Sequence, residues 1–203
     1  MKSKVWRQFA VHALAALPLA ILAAQWGSLL TGGTDPRSAG LSAEPVDYTI
    51  NVLGLWALRL LCLSLAITPL RQWTGWRWLA PWRRPLGLWC FAYASLHLSV
   101  YFFLDQLAAF DLLWREVSKR PFILFGMATW LLLLPLAVTS TAGWIRRIGA
   151  RNWQWLHRAV YLAALLAATH FVMRVKGFQI EPWLYAAIIA VLLAARLPVW
   201  RRG

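Results

Sequence analysis

Carboxylates are scarce in this chain, with 7 Asp and Glu against 21 Lys and Arg among 203 residues. None lies near the middle of an apolar stretch, which argues against a carboxylate-lined pathway for protons or cations. Cysteine is scarcer still. Cys62 and Cys90 stand singly in separate apolar segments, so the chain has no CxxC pair, no zinc-ligand spacing and no secreted disulfide framework. They read as packing residues. No GxGxxG or GxxxxGK[ST] run is present, and no polar segment is long enough for a βαβ layer. A nucleotide-binding fold is therefore excluded, and any reducing equivalent must come from a partner or a lipid-soluble donor. Charged residues make up only 14%, where a soluble domain carries about a quarter.

What is present is apolar: 61% hydrophobic residues, with 15 Trp and 9 Phe. Crossing a bilayer takes ~20 residues at ~1.5 Å rise each. Six stretches qualify, at 8–30, 50–70, 85–105, 121–140, 152–173 and 180–198. The first follows Lys2, Lys4 and Arg7 in the manner of a signal peptide. Its apolar run passes Leu29, however, and offers no small-residue cleavage site before Gly32 and Gly33, so it reads as a retained helix. The fold class predicted is all-α, a polytopic membrane protein with six transmembrane helices and one domain over 1–203. Pro18, Pro69 and Pro135 are expected to kink or end helices, and Trp6, Trp76, Trp78, Trp82, Trp153, Trp155 and Trp183 to form interfacial belts.

The loops are sorted by charge. One set gathers Lys2, Lys4, Arg7, Arg71, Arg77, Arg83, Arg84, Arg146, Arg147, Arg151, Arg158, Arg196, Arg201 and Arg202 with no acid. The other holds Asp35, Glu44, Asp47, Asp105, Asp111, Glu116 and Glu181, every acid in the chain. This positive-inside pattern predicts that both termini are cytoplasmic. It also accounts for the net charge of +14 without a nucleic-acid partner.

Ionisable side chains within the apolar segments ask for a reason, since Arg or Lys at a helix centre costs ~2.5–3.5 kcal/mol on insertion scales. They are His97 on the third segment, His157 and His170 on the fifth, Arg59 on the second and His12 near the start of the first. Imidazole is a standard axial ligand of haem iron. Histidines facing each other from two helices could clamp a porphyrin, with basic groups neutralising its propionates. Iron so held has no open position, and its task is electron transfer. By helical rise His97 lies ~18 Å in from Pro85, whereas His157 and His170 lie ~8 Å and ~27 Å in from Asn152. His97 could therefore meet either one. The latter two are roughly 140° apart around an ideal helix and share a face only if it bends or carries a π-bulge. A second haem would need a further ligand. Counting back one such interval from His97 reaches Arg83 and Arg84, poor iron ligands better suited to phosphates or propionates at the rim. Arg59 lies too deep to snorkel easily, and is read either as facing a propionate or quinone oxygen or as a polar contact with helix termini or water. His12 reads as structural.

Several segments together resemble a known family. WALRLLCLSLAITPLR (56–71), RRPLGLWCFAYASLH (83–97) followed by Tyr101, KRPF (119–122), Thr139–Thr141, WQWLHRAVYL (153–162) and HFVMRVK (170–176) are similar to the MsrQ family. The resemblance spans about 50–196. These are haem-binding membrane subunits of the bacterial periplasmic methionine sulfoxide reductase system, within the ferric-reductase-like transmembrane group. The resemblance implies haem b and FMN as cofactors and the inner membrane as location. It also implies transfer of electrons from quinol to a periplasmic molybdopterin-containing reductase, in which sulfoxide reduction itself takes place. By the family pattern His97 and His170 form the haem pair toward the periplasm and His157 is a further functional histidine nearer the cytoplasm. The wider group often carries two histidines on each of two helices, and this chain departs from that on its third. Charge alone directs an FMN site to the cytoplasmic side, near Arg83, Arg84 and His157. The rival readings are a ferric or other quinone-linked reductase, and a non-redox transporter or structural membrane protein with satisfied core histidines.

Overall fold

The computed structural model describes residues 2–32, 35–107, 117, 119–175 and 177–196. Among these, every regular element is helical. Helix α1 runs Lys2–Thr31 and α2 Pro45–Thr74; a 3₁₀ segment, Arg77–Trp82, leads into α3, Arg83–Val100, which continues through one π turn, Tyr101–Asp105. After it come α4 (Pro121–Val138), two short helices α5 (Ala142–Ile148) and α6 (Ala150–Leu156), then α7 (Ala159–Arg174) and α8 (Ile180–Ala194). In lipid every backbone group must be bonded within the chain, and a helix does this segment by segment.

Five helical stretches are long and apolar enough to cross a membrane: Trp6–Thr31, Pro45–Thr74, Arg77–Asp105, Pro121–Val138 and Ala150–Arg174. The sixth expected span, 180–198, corresponds to α8, which has 15 residues, fewer than a crossing takes. Its last residues, like Asp111, Glu116, Arg201 and Arg202 of the charge pattern, lie outside the described residues. The fifth expected span, 152–173, is interrupted. At His157 and Arg158 the ladder tightens to Val160 N–H on the His157 carbonyl and Tyr161 N–H on that of Arg158. Beside the break the Trp153 indole donates to the Thr139 carbonyl (2.9 Å), and the His157 ring stacks on Trp153 with centroids 3.9 Å apart.

Two helix pairs organise the bundle. Helix α2 packs along α3, and α4 packs along α7; α3 then meets α4, and α8 lies against α7 and α2. Small side chains permit close approach, chiefly Ala57 on α2, Cys90 on α3 and Ala163, Ala164 and Ala168 on α7, all buried. The seam between the pairs is fastened by the Trp130 indole donating to Ser95 Oγ (2.9 Å) and by Phe91 stacked on Trp130. Hydroxyls within the spans are satisfied locally, as where Thr129 donates to the Phe125 carbonyl one turn back. Pro45 and Pro121 occupy first-turn positions, where the missing N–H matters least. Gly75, at φ 73°, closes α2 by donating to the Arg71 carbonyl, a left-handed cap open to glycine.

Pro18, Pro69 and Pro135 all lie inside their helices. Beside Pro18 the Tyr93 hydroxyl enters the α1 ladder: it accepts from Leu19 N–H (3.0 Å) and donates to the Ala15 carbonyl (2.8 Å). Those two backbone groups are i and i−4 partners in an uninterrupted helix. The ring behind this hydroxyl is 1% exposed.

Candidate functional site

His97 on α3 and His170 on α7 face each other across the middle of the bundle. Their ring centroids are 6.2 Å apart and the ring planes are nearly perpendicular, at 88°. Each ring is tied back at Nδ1, His97 to the Ile50 carbonyl of α2 (2.8 Å) and His170 to the Phe122 carbonyl at the start of α4 (2.7 Å). A carbonyl only accepts, so Nδ1 carries the proton in both rings and Nε2 keeps its lone pair. No described residue hydrogen-bonds either Nε2.

A glycine backs each ring. A Cβ built on Gly54 of α2 would stand 2.9 Å from Cε1 and Nδ1 of His97, and one on Gly126 of α4 would stand 2.8 Å from Nδ1 of His170. The pair can therefore donate two nitrogen lone pairs toward a common centre. Two imidazoles bonded to one iron at ~2 Å, with each ring centre ~1 Å behind its nitrogen, have centroids ~6 Å apart. The observed separation fits that requirement. Of the two candidate partners, the structure brings His170 beside His97.

His157 has a different setting. It sits at the interruption after α6, with Nε2 3.2 Å from Thr139 Oγ1 and its face on Trp153. The Arg83 charge reaches it, and Arg83 is in turn within electrostatic reach of Arg196, Arg71 and Tyr161. Arg196 donates to the Tyr161 hydroxyl (3.1 Å) and to the Leu65 carbonyl. This acid-free end therefore combines an imidazole with several guanidiniums. Arg84 belongs to the same rim and is exposed.

Arg59 donates from Nε to the Tyr185 hydroxyl of α8 (2.9 Å) and lies over the Trp56 ring at 4.9 Å. Its observed hydrogen-bond partner is thus a tyrosine hydroxyl within α8. His12 is exposed and accepts at Nδ1 from the Trp89 indole (3.0 Å), in keeping with a structural role.

Sequence reasoning passed over three features of this site. Gly54 and Gly126 read as ordinary helical glycines, although a glycine inside a long apolar helix often marks a close approach. Arg174, one turn beyond His170, places its charge within reach of both imidazoles; its position four residues after a ligand candidate was the available signal.

Residues 53–168 match the ferric reductase like transmembrane component family, a range that holds Gly54, His97, Gly126 and His157 and stops just short of His170. The protein-methionine-sulfoxide reductase heme-binding subunit MsrQ of Xanthomonas euvesicatoria pv. vesicatoria (strain 85-10) is 48% identical over 192 residues, covering 95% of this chain and 85% of that relative. The chain belongs to the MsrQ family. The MsrQ of Xanthomonas oryzae pv. oryzae (strain MAFF 311018) is 47% identical over 192 residues with the same coverage. That of Azospira oryzae is 44% identical over 161 residues, 79% of this chain and 69% of its own. Similarity to MsrQ proteins thus extends past the ferric-reductase core into both ends of the chain.

Proposed function

We propose that this MsrQ-family protein is a haem b electron carrier of the bacterial inner membrane, in which His97 and His170 would hold the haem iron. The observation that carries the reading is the pair itself: two imidazoles 6.2 Å apart, both held by backbone carbonyls with Nε2 free. Haem held by these two rings would supply one-electron transfer. The protein's part is to hold both rings rigid, keep water from the iron in an apolar bundle, and set the potential through charge and ligand basicity. Hydrogen bonds from Nδ1 to the two carbonyls make the rings stronger donors.

Arg174 supplies positive charge on the side of His170 toward the acidic loops, suited to a haem carboxylate. A cation near the iron favours the reduced state, so Arg174→Ala is expected to lower the midpoint potential by on the order of tens of millivolts. Spectroelectrochemical titration of the purified variant measures this; an unchanged or raised potential places Arg174 away from the redox centre.

By the positive-inside pattern the acid-free end is cytoplasmic, as are both termini. Arg83 and Arg84 there fit the phosphate of FMN, with His157 beside it as a functional histidine. Quinol is the proposed donor. The acceptor is a periplasmic molybdopterin-containing methionine sulfoxide reductase, in keeping with the name borne by the MsrQ relatives; it would carry out the sulfoxide chemistry that repairs oxidised envelope proteins.

The deciding experiment is a reduced-minus-oxidised spectrum of the purified chain in detergent, followed by mixing the reduced protein with that reductase and methionine sulfoxide. Low-spin b-type bands that reoxidise only when both are present are expected. Absent bands would remove the cytochrome reading, and bands that reoxidise with ferric chelates but not with the reductase would favour a ferric reductase.

A further inference from the structure

The two histidines are seated by one device used twice. His97 bonds the carbonyl of Ile50 and lies against Gly54; His170 bonds the carbonyl of Phe122 and lies against Gly126. In each case the glycine is four residues after the accepting carbonyl. That spacing has a physical meaning. A helical side chain leans toward the N-terminus and covers the turn preceding its own Cα. Any residue at 54 or 126 other than glycine would roof over the carbonyl that the imidazole reaches. Each carbonyl has a second lone pair beyond the one used in the helix ladder, and only the missing Cβ leaves it open to a ring from the neighbouring helix.

The other glycines of the spans do not share this feature. A Cβ on Gly87 would meet only Ser64 Oγ at 3.7 Å, an ordinary contact, and one on Gly27 would meet nothing within 4 Å. The tight approach is thus confined, within the spanning helices, to the two glycines beside the histidine pair.

We propose that Gly54 and Gly126 are positioning residues for the haem, each opening the carbonyl one turn below it so that the bound imidazole is fixed in the tautomer and orientation that present Nε2 to the iron. This rests on the assignment of His97 and His170 as ligands. It adds that ligation depends on a main-chain acceptor on each facing helix, a dependence that side-chain substitution at Ile50 or Phe122 would not disturb.

The test uses the full chain in detergent, with hemin titrated into haem-depleted protein. Gly54→Ala and Gly126→Ala are each expected to weaken hemin binding ~10–100-fold, the usual effect of disturbing a ligand's supporting partner, and to shift the spectrum away from low spin. Gly87→Ala should bind as the unaltered protein does. Wild-type affinity and spectrum in both Gly54→Ala and Gly126→Ala would overturn the proposal.

Alanine at these positions could also prevent folding, so a second measurement keeps the helix backbone intact. In His97→Gly, free imidazole can fill the vacated place and still donate an N–H to the Ile50 carbonyl, whereas 1-methylimidazole cannot. Restoration of the low-spin spectrum is expected at ~10-fold lower concentration of imidazole than of 1-methylimidazole, and equal restoration would overturn the proposal. If His97→Gly keeps its low-spin haem with neither added, the ligand assignment itself fails. That failure is distinct from the two above, and the proposal falls with it.

Discussion

Replacing His97 or His170 by alanine is expected to abolish the low-spin haem spectrum, with either change alone sufficient. Under the proposed assignment each imidazole would hold the haem from a different helix pair, so no neighbouring ring could take over. His157 is held by Thr139 and Trp153, and His12 is exposed with its Nδ1 bonded to Trp89. The expected outcome is therefore graded: loss of the signal in His97→Ala and His170→Ala, and retention in His12→Ala. Haem quantitation by pyridine haemochrome, on material eluting as a single folded species, gives the comparison. Full occupancy with an unchanged spectrum in either of the first two variants would count decisively against the pair.

A second large effect is expected at Tyr93, and it concerns stability. Its hydroxyl accepts from Leu19 N–H and donates to the Ala15 carbonyl of α1, beside Pro18. Phenylalanine keeps the ring but leaves that donor and acceptor facing an apolar surface. Each buried unsatisfied group costs about 1–3 kcal/mol, and lipid offers no water to make up the loss. Tyr93→Phe should lower the thermal midpoint of the detergent-solubilised protein clearly, and Tyr93→Ala more so, since truncating a buried aromatic costs about 3–5 kcal/mol by itself. Both should leave the potential of any haem they retain unchanged, because Tyr93 bonds α1 and neither histidine. A Tyr93→Phe protein as heat-stable as the original would mean that Leu19 N–H and the Ala15 carbonyl simply pair with each other.

The helices were legible because hydropathy and length are local properties: four expected spans fall on long apolar helical stretches, the fifth falls on α6 and α7 with a break between them, and the sixth falls on the shorter α8. The interruption at His157 and Arg158 was not: it lies beside contacts of Trp153 with Thr139 and His157 that no periodicity encodes. Spacing narrowed the ligands to three histidines but could not choose between His157 and His170 as the partner of His97, since depth along a helix says nothing of azimuth once the helix turns. Arg59 was ambiguous for a similar reason. Its partner, Tyr185, lies 126 residues away. The glycine seats were hidden differently: their meaning lies in an atom that is missing, and it emerges only when the neighbouring helix is in place.

The division of the two imidazoles between separate helix pairs bears on how the molecule is made. Under the proposed ligand assignment, a nascent chain that has delivered α2 and α3 into the bilayer would own one half of the haem site, and the other half would arrive only with α7. A product terminated before α7 would then stay colourless.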